Sequence, residues 1–140
     1  MARKSHTDHL SKVPLFSALS NRELQKVAKA SDEIRFPAGK VLVEQDRTGR
    51  EAFVILEGTA VVKRNGRKVA TFGPGDTFGE LALLDRGPRT ATVEAETDMD
   101  VLVLGQREFS GIIDEVPGIA HKLLASLASK VRELDSQAYG

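Results

Sequence analysis

The apolar positions of this chain change rhythm along its length. In "SNRELQKVAKA", Leu24, Val27 and Ala28 fall on one helical face, and Ser20 with Glu23 three residues later has the form of a capping box. A short helix is predicted over about residues 21–30. From about residue 31 to 105 the helical period gives way to short runs of Val, Ile, Phe and Thr, broken by "PAG", "DRTG", "EG", "NG", "GPGD", "DRGP" and "ETD". Many short strands between turn signals predict a sandwich, a barrel or a jelly roll. Farther on, "QREFSGIID" reads as another short helix. The segment "VPGIAHKLLASLASKVRELD" places Pro117 near a first turn and then repeats apolar residues at Ala120, Leu124, Leu127, Val131 and Leu134, a helix with one apolar stripe. The predicted order is helix, strands, helices in a single domain over residues 10–135, with 1–9 and 136–140 as flexible ends.

One hairpin can be set in register directly. Asn65-Gly66 supplies the two positive-φ residues of a type I′ turn, which pairs Arg64 with Arg67 and Val62 with Val69. Val62 and Val69 are then expected on one sheet face, as ordinary core.

Composition narrows the functions open to such a domain. The 140 residues suffice for one sizeable core. Twenty basic side chains balance twenty acidic ones, so no overall field draws the chain to nucleic acid or to an acidic membrane. Cysteine is absent, which removes disulfides, thiolate nucleophiles and thiolate-bound metal together. No apolar run approaches the roughly 18–20 residues of a membrane span, and "MARKSHTDHLSK" has no segment resembling a signal peptide. A cytoplasmic protein is the expectation.

The chemistry concentrates in residues 78–93, "FGELALLDRGPRTATV". If Leu81 to Leu84 form one helical turn, the amides near Glu80 to Ala82 point outward and favour an anion, and Gly79 lets a ligand approach the backbone. Arg89 offers a planar fork of donors to the same oxygens, aimed by Pro88. A carboxylate at Glu80, beside an anion site, needs a task of its own, and accepting a hydrogen bond from a ribose 2′-OH supplies one. Phosphate, ribose and an apolar wall together describe a nucleotide pocket.

This stretch resembles the phosphate-binding cassette of the cyclic nucleotide-binding domain family, whose pattern is F-G-E-L-A-L-x-x-x-x-P-R-x-A. "FPAGKVLVEQ", "AFVILEGTAVV" and "FGPGDTFGE" resemble earlier strands of that family in the same order. The resemblance covers about residues 10–135. It implies a mainly β fold, an eight-stranded antiparallel jelly roll with one N-terminal and two C-terminal flanking helices. It assigns the amides of Gly79, Leu81 and Ala82 to a cyclic phosphate, Glu80 to the ribose 2′-OH, Arg89 to the phosphate charge, and Thr90 and Ala91 to positions near the phosphate. The resemblance further implies that in members preferring cGMP a threonine at the place of Thr90 can also meet the guanine amino group, whereas cAMP binders vary there. Val62 and Val69 are placed against base and sugar, which changes their reading from core to wall. The chain departs from the family at "QDR", where Asp46 stands for the usual glycine; aspartate tolerates the left-handed region, so a stiffer loop in an intact fold is expected. The helix-turn-helix or effector domain of longer relatives has no counterpart before Gly140.

The resemblance implies a non-catalytic sensor of cAMP, with cGMP second, needing no cofactor or metal. A metal-dependent cupin would need histidines on the strands, whereas His6, His9 and His121 lie outside them, and no serine or threonine sits in a nucleophile motif. Binding would draw residues 79–82 around the phosphate while the last helix closes over the base, with Arg132, Leu134 and Asp135 as candidate base contacts. Its stripe could instead pack on the barrel or pair with a second copy as a homodimer. The alternatives are an interaction or dimerisation module that binds no nucleotide and the sensor part of a transcription regulator. The expected partners are the cyclic nucleotide and a protein effector, with neither nucleic acid nor membrane bound directly.

Overall fold

The computed structural model describes residues 6–139. Helix α1 (His6–Ser11), a 3₁₀ turn (Pro14–Phe16) and helix α2 (Asn21–Ala30) precede eight strands, and α3 (Gln106–Glu115) and α4 (Gly118–Tyr139) follow them. The strands are β1 (Asp32–Phe36), β2 (Val41–Val43), β3 (Glu51–Glu57), β4 (Ala60–Arg64), β5 (Arg67–Phe72), β6 (Thr77–Phe78), β7 (Thr92–Ala95) and β8 (Met99–Gly105). Two four-stranded antiparallel sheets result, in the orders β1-β8-β3-β6 and β2-β7-β4-β5. This is the expected jelly roll. The N-terminal side is richer than the one helix predicted: α1 begins at His6, inside the segment expected to be a flexible end, and at the other end α4 runs on through residues 136–139. Residues 1–5 and Gly140 of those expected ends lie outside the described residues.

The two sheets differ in how their strands are written. Phe53, Ile55, Val101 and Val103 point between the sheets, where Ala60, Val62, Val93 and Ala95 meet them. Their neighbours Ala52, Val54, Leu102 and Leu104 point the other way, against Leu10, Phe16, Val27, Phe109, Ile119 and Leu123. Strands β3 and β8 are thus buried on both faces, which is why "AFVI" and "VLVL" are continuous apolar runs, whereas β4 and β7 alternate. Phe16 and Phe109 meet in the helical layer at 5.5 Å between centroids, each burying a side chain that contributes about 1.5–3 kcal/mol.

Helix α2 starts as the pattern requires. Glu23 N–H donates to Ser20 Oγ at 3.2 Å and Ser20 N–H donates to Glu23 Oε1 at 2.8 Å, a complete capping box.

Two register expectations need correction. Asn65 (φ 54°) and Gly66 (φ 80°) form the turn, and Arg64 pairs with Arg67. A bulge then follows Lys63↔Lys68, so Val62 pairs with Ala70 and Val69 becomes the extra residue. Val62 is 6% exposed and Val69 53% exposed, so the two do not share a buried face. In α4 the core face is Ile119 and Leu123, with Leu127 packed at its edge. Leu124 (65% exposed) and Val131 (64%) lie beside that face, Leu134 (55%) continues it past the core, and all three face solvent.

Candidate functional site

Strand β6 ends at Phe78, and Gly79 turns the chain with φ 77°, a left-handed conformation that favours glycine. A 3₁₀ turn over Glu80–Leu83 follows. Leu83 anchors it in the helical core, and Ala82 is buried beside it. The Ala82 amide donates to the Gly79 carbonyl at 3.0 Å, so it is engaged within the turn. Of the amides expected to face an anion, those of Gly79 and Leu81, together with that of Glu80, are the ones a 3₁₀ turn leaves without an internal acceptor.

Arg89 closes this turn from the side. Its Nη2 donates to the Glu51 carbonyl at 2.8 Å, and its guanidinium lies 5.8 Å from the centroid of the Phe53 ring. A Cβ on Gly79 would meet Nη1, and a Cβ on Gly49 would overlap the guanidinium outright. Burial lowers the Arg89 pKa from its ordinary value, and the Glu51 carboxylate opposes that shift. The backbone is held equally firmly. Arg89 N–H donates to the Arg47 carbonyl at 2.8 Å, Asp46 N–H donates to the Arg89 carbonyl at 2.8 Å, and Thr48 bridges to Pro88. Asp46 adopts φ 70°, the left-handed conformation its loop requires. Residues 46–51 therefore position the arginine, and sequence reading missed Gly49 and the Glu51 carbonyl. Their one signal is the glycine in "DRTG", which carries no phosphate-site pattern by itself.

Two adjoining clefts share Phe78, Gly79, Arg89 and Thr90. One, of about 470 Å³, lies over the turn and is lined by Glu80, Leu81, Ala82 and Pro88 as well. The other, of about 170 Å³, enters the barrel mouth between Val43, Val62, Phe72, Ala91 and Val93, with Arg64 at its rim. Arg64 Nε donates to the Thr90 carbonyl at 3.2 Å. Gly79, Glu80, Leu81, Ala82, Arg89, Thr90, Ala91 and Val62 are thus brought together. Val69 lines neither cleft, because the bulge places it on the outside. Arg132, Leu134 and Asp135 are exposed on the outer half of α4 and line neither cleft.

Elsewhere the described residues contain no group of three or more His, Asp or Glu side chains able to hold a metal ion. His6 and His9 lie on α1 and His121 on α4, away from the clefts. No helix among the described residues is long and apolar enough to cross a membrane.

A jelly roll whose barrel mouth opens beside a left-handed Gly-Glu turn, with an arginine folded back onto that turn, defines a cyclic nucleotide-binding domain. The sequence profile described as "Cyclic nucleotide-binding domain" matches residues 33–116, more than half of the chain, and the chain belongs to that family. It is 39% identical over 123 residues to the cAMP-dependent protein kinase regulatory subunit of Aspergillus niger, covering 86% of this chain and 30% of the relative. It is 32% identical over 127 residues to the Cyclic AMP receptor protein of Thermus thermophilus, covering 87% of this chain and 59% of the relative. The N-terminal domain of a transcriptional regulator from Streptomyces coelicolor A3(2) superposes with a TM-score of 0.84 at 31% identity, over 92% of this chain and 96% of that one. The chain spans about a third of the length of the kinase regulatory subunits it matches.

Proposed function

We propose that the chain binds a cyclic nucleotide, cAMP in preference to cGMP, as a non-catalytic sensing module that passes its state to a protein effector. The observation that carries this reading is the Arg89 guanidinium folded against the left-handed Gly79 turn, with the Glu80 carboxylate in the same cleft. A phosphodiester in that cleft would meet the amides of Gly79 and Leu81 and the charge of Arg89; the Ala82 amide joins them only by leaving the Gly79 carbonyl. Glu80 accepts from the ribose 2′-OH. The apolar mouth between Val62, Phe72, Ala91 and Val93 receives the sugar and base. The names of the relatives support cAMP, since both the kinase regulatory subunit and the receptor protein are named for it. No step in this reading breaks or forms a covalent bond, and it calls on no cofactor, metal, nucleic acid or membrane. Arg132, Leu134 and Asp135 reach the base only if α4 swings inward; a second copy could cover the same face of α4 as a homodimer.

Thermal melting with and without nucleotide tests the reading. A ligand at about a hundred times its dissociation constant stabilises a fold by roughly 2.7 kcal/mol, so cAMP is expected to raise the melting temperature by several degrees and cGMP by less. Arg89→Ala should abolish the rise while the protein stays folded. Its own stability should fall by about 1 kcal/mol, because the contact with Phe53 and the bond to Glu51 go with the side chain. No rise with either nucleotide would return the chain to the reading of an empty interaction module.

A further inference from the structure

A second concavity, of about 510 Å³, lies behind the phosphate turn, where Arg50, Arg86 and Arg107 line it from three different segments. Arg50 precedes β3, Arg86 belongs to the loop after the 3₁₀ turn, and Arg107 is in the first turn of α3. All three are exposed, and none forms a salt bridge among the described residues. Two acids also line the hollow, and each has a neighbour other than these three arginines. The Glu51 carboxylate interacts with Arg89, and Glu108 folds back over Gly105, where the first turn of α3 presents its amides. Three guanidinium groups, outnumbering the two carboxylates and held in no ion pair among the described residues, surround one hollow.

We infer that this hollow is a docking surface for an acidic segment of a partner protein, and that the nucleotide site controls its grip. A small oxyanion is a poorer fit. Such a ligand needs a few convergent, preorganised donors, whereas these arginines sit on long exposed side chains and Glu108 already covers the helix end. Several carboxylates spread along a peptide match three separated cations, and arginine pairs with carboxylates through two parallel bonds.

The link to the nucleotide site is a short run of hydrogen bonds. The Gln106 amide donates to the Arg50 carbonyl at 2.7 Å, Gln106 Nε2 donates to the Asp85 carbonyl at 3.0 Å, and Arg89 donates to the carbonyl of Glu51, the residue after Arg50. A ligand that moves Arg89 or the 80–85 turn therefore moves Arg50, Arg86 and the start of α3 relative to one another. This control, unlike the docking itself, rests on the proposed binding of cAMP.

A fluorescein-labelled hexaglutamate peptide, read by fluorescence anisotropy at low salt, is the probe. The parent should bind it, and Arg50→Gln/Arg86→Gln/Arg107→Gln should bind at least about tenfold more weakly with an unchanged melting temperature. A matched loss of charge elsewhere, Arg22→Gln/Lys29→Gln/Lys40→Gln, should leave binding within about twofold. Equal weakening in both triple variants, or no binding by the parent, overturns the docking surface, as does displacement of the peptide by millimolar inorganic phosphate at constant ionic strength. Saturating cAMP should change the parent's affinity for the peptide several-fold, with the reciprocal change in cAMP affinity that linkage requires. A parent that binds both without mutual effect overturns the coupling. A parent whose melting is insensitive to cAMP removes the proposed function, while the nucleotide-free peptide measurement still decides the docking surface.

Discussion

Arg89 shows how much of this site is made at a distance from its own motif. The guanidinium rests on the flat space left by Gly49 and bonds a carbonyl 38 residues away, at Glu51. Gly49 is buried and has no unusual φ, so its lack of a side chain matters only for the space it leaves. Gly49→Ala should fold, because the overlapping atoms are the far end of a flexible side chain that can move aside. The displaced arginine should then weaken cAMP by about tenfold or more, seen by titration calorimetry, even though residue 49 touches no ligand. Unchanged affinity in that variant would mean that the resting place of the guanidinium is irrelevant to binding. Gly79, Glu80 and Arg89 were legible in the sequence because they are close together and of types that anion and sugar recognition need. Gly49 and the Glu51 carbonyl were not, because one contributes an absence and the other a backbone atom, and neither leaves a side-chain pattern.

Elements carry the next set of consequences, beginning with the β4–β5 hairpin. Its turn was legible because Asn-Gly is the sequence solution to two positive φ angles; its bulge was not, because no residue type is required for Val69 to be the extra one. The same hairpin holds Arg64 opposite Arg67 and Lys63 opposite Lys68, like charges that destabilise a two-stranded ribbon. Arg64 lies at the rim of the barrel mouth, and Arg67, directly across, shares its side of the sheet. Under the proposed function, these cations would attract the anionic nucleotide before it reaches Arg89. Arg67→Gln should slow association of a fluorescent cyclic nucleotide and flatten its dependence on salt between about 0.01 M and 1 M, leaving dissociation unchanged. Stopped-flow mixing measures both, and an unaltered association rate removes the hairpin from the binding path. Helix α2 gives a prediction of a different kind. Glu23 accepts from Lys122 Nζ at 2.5 Å as well as from the Ser20 amide, and the Lys122 bond is the first cause of its lowered pKa. A carboxylate held below its ordinary 4.5 contributes stability that is complete above that pH and lost as pH falls through the folded value. Melting temperatures of the parent and of Glu23→Gln should therefore differ at neutral pH and converge below 4.5; a constant gap would show that the ion pair has no share in it.

At the scale of the molecule, the sheet β1-β8-β3-β6 is a middle layer, with helices on one side and the second sheet on the other. Two hydrophobic cores meet through it, and the turn after β6 touches both, through Phe78 on one side and Leu83 on the other. This layering was readable from the contrast between continuous and alternating apolar strands. The placement of α4 was only half readable. Ile119, Leu123 and Leu127 form one stripe, Leu124 and Val131 lie farther round the helix, and Leu134 continues the first stripe beyond the core, so periodicity alone does not say which positions are covered. The structure covers the first, and only near its start. A helix of 22 residues is about 33 Å long, so its outer half stands beyond the core with Val131 and Leu134 in water, and Leu124 is exposed just before it. Burying each would contribute about 1.5–3 kcal/mol, a gain available either to closure over the barrel mouth or to a second copy. Hydrogen exchange followed by mass spectrometry separates the two. If α4 closes over bound nucleotide, residues 128–138 should exchange rapidly in the free protein and slowly with cAMP, at every protein concentration. If a second chain covers the stripe, protection should appear without nucleotide and grow with concentration. Fast exchange under all conditions would leave Arg132, Leu134 and Asp135 without a part in binding, and the base would then be held by the barrel mouth alone.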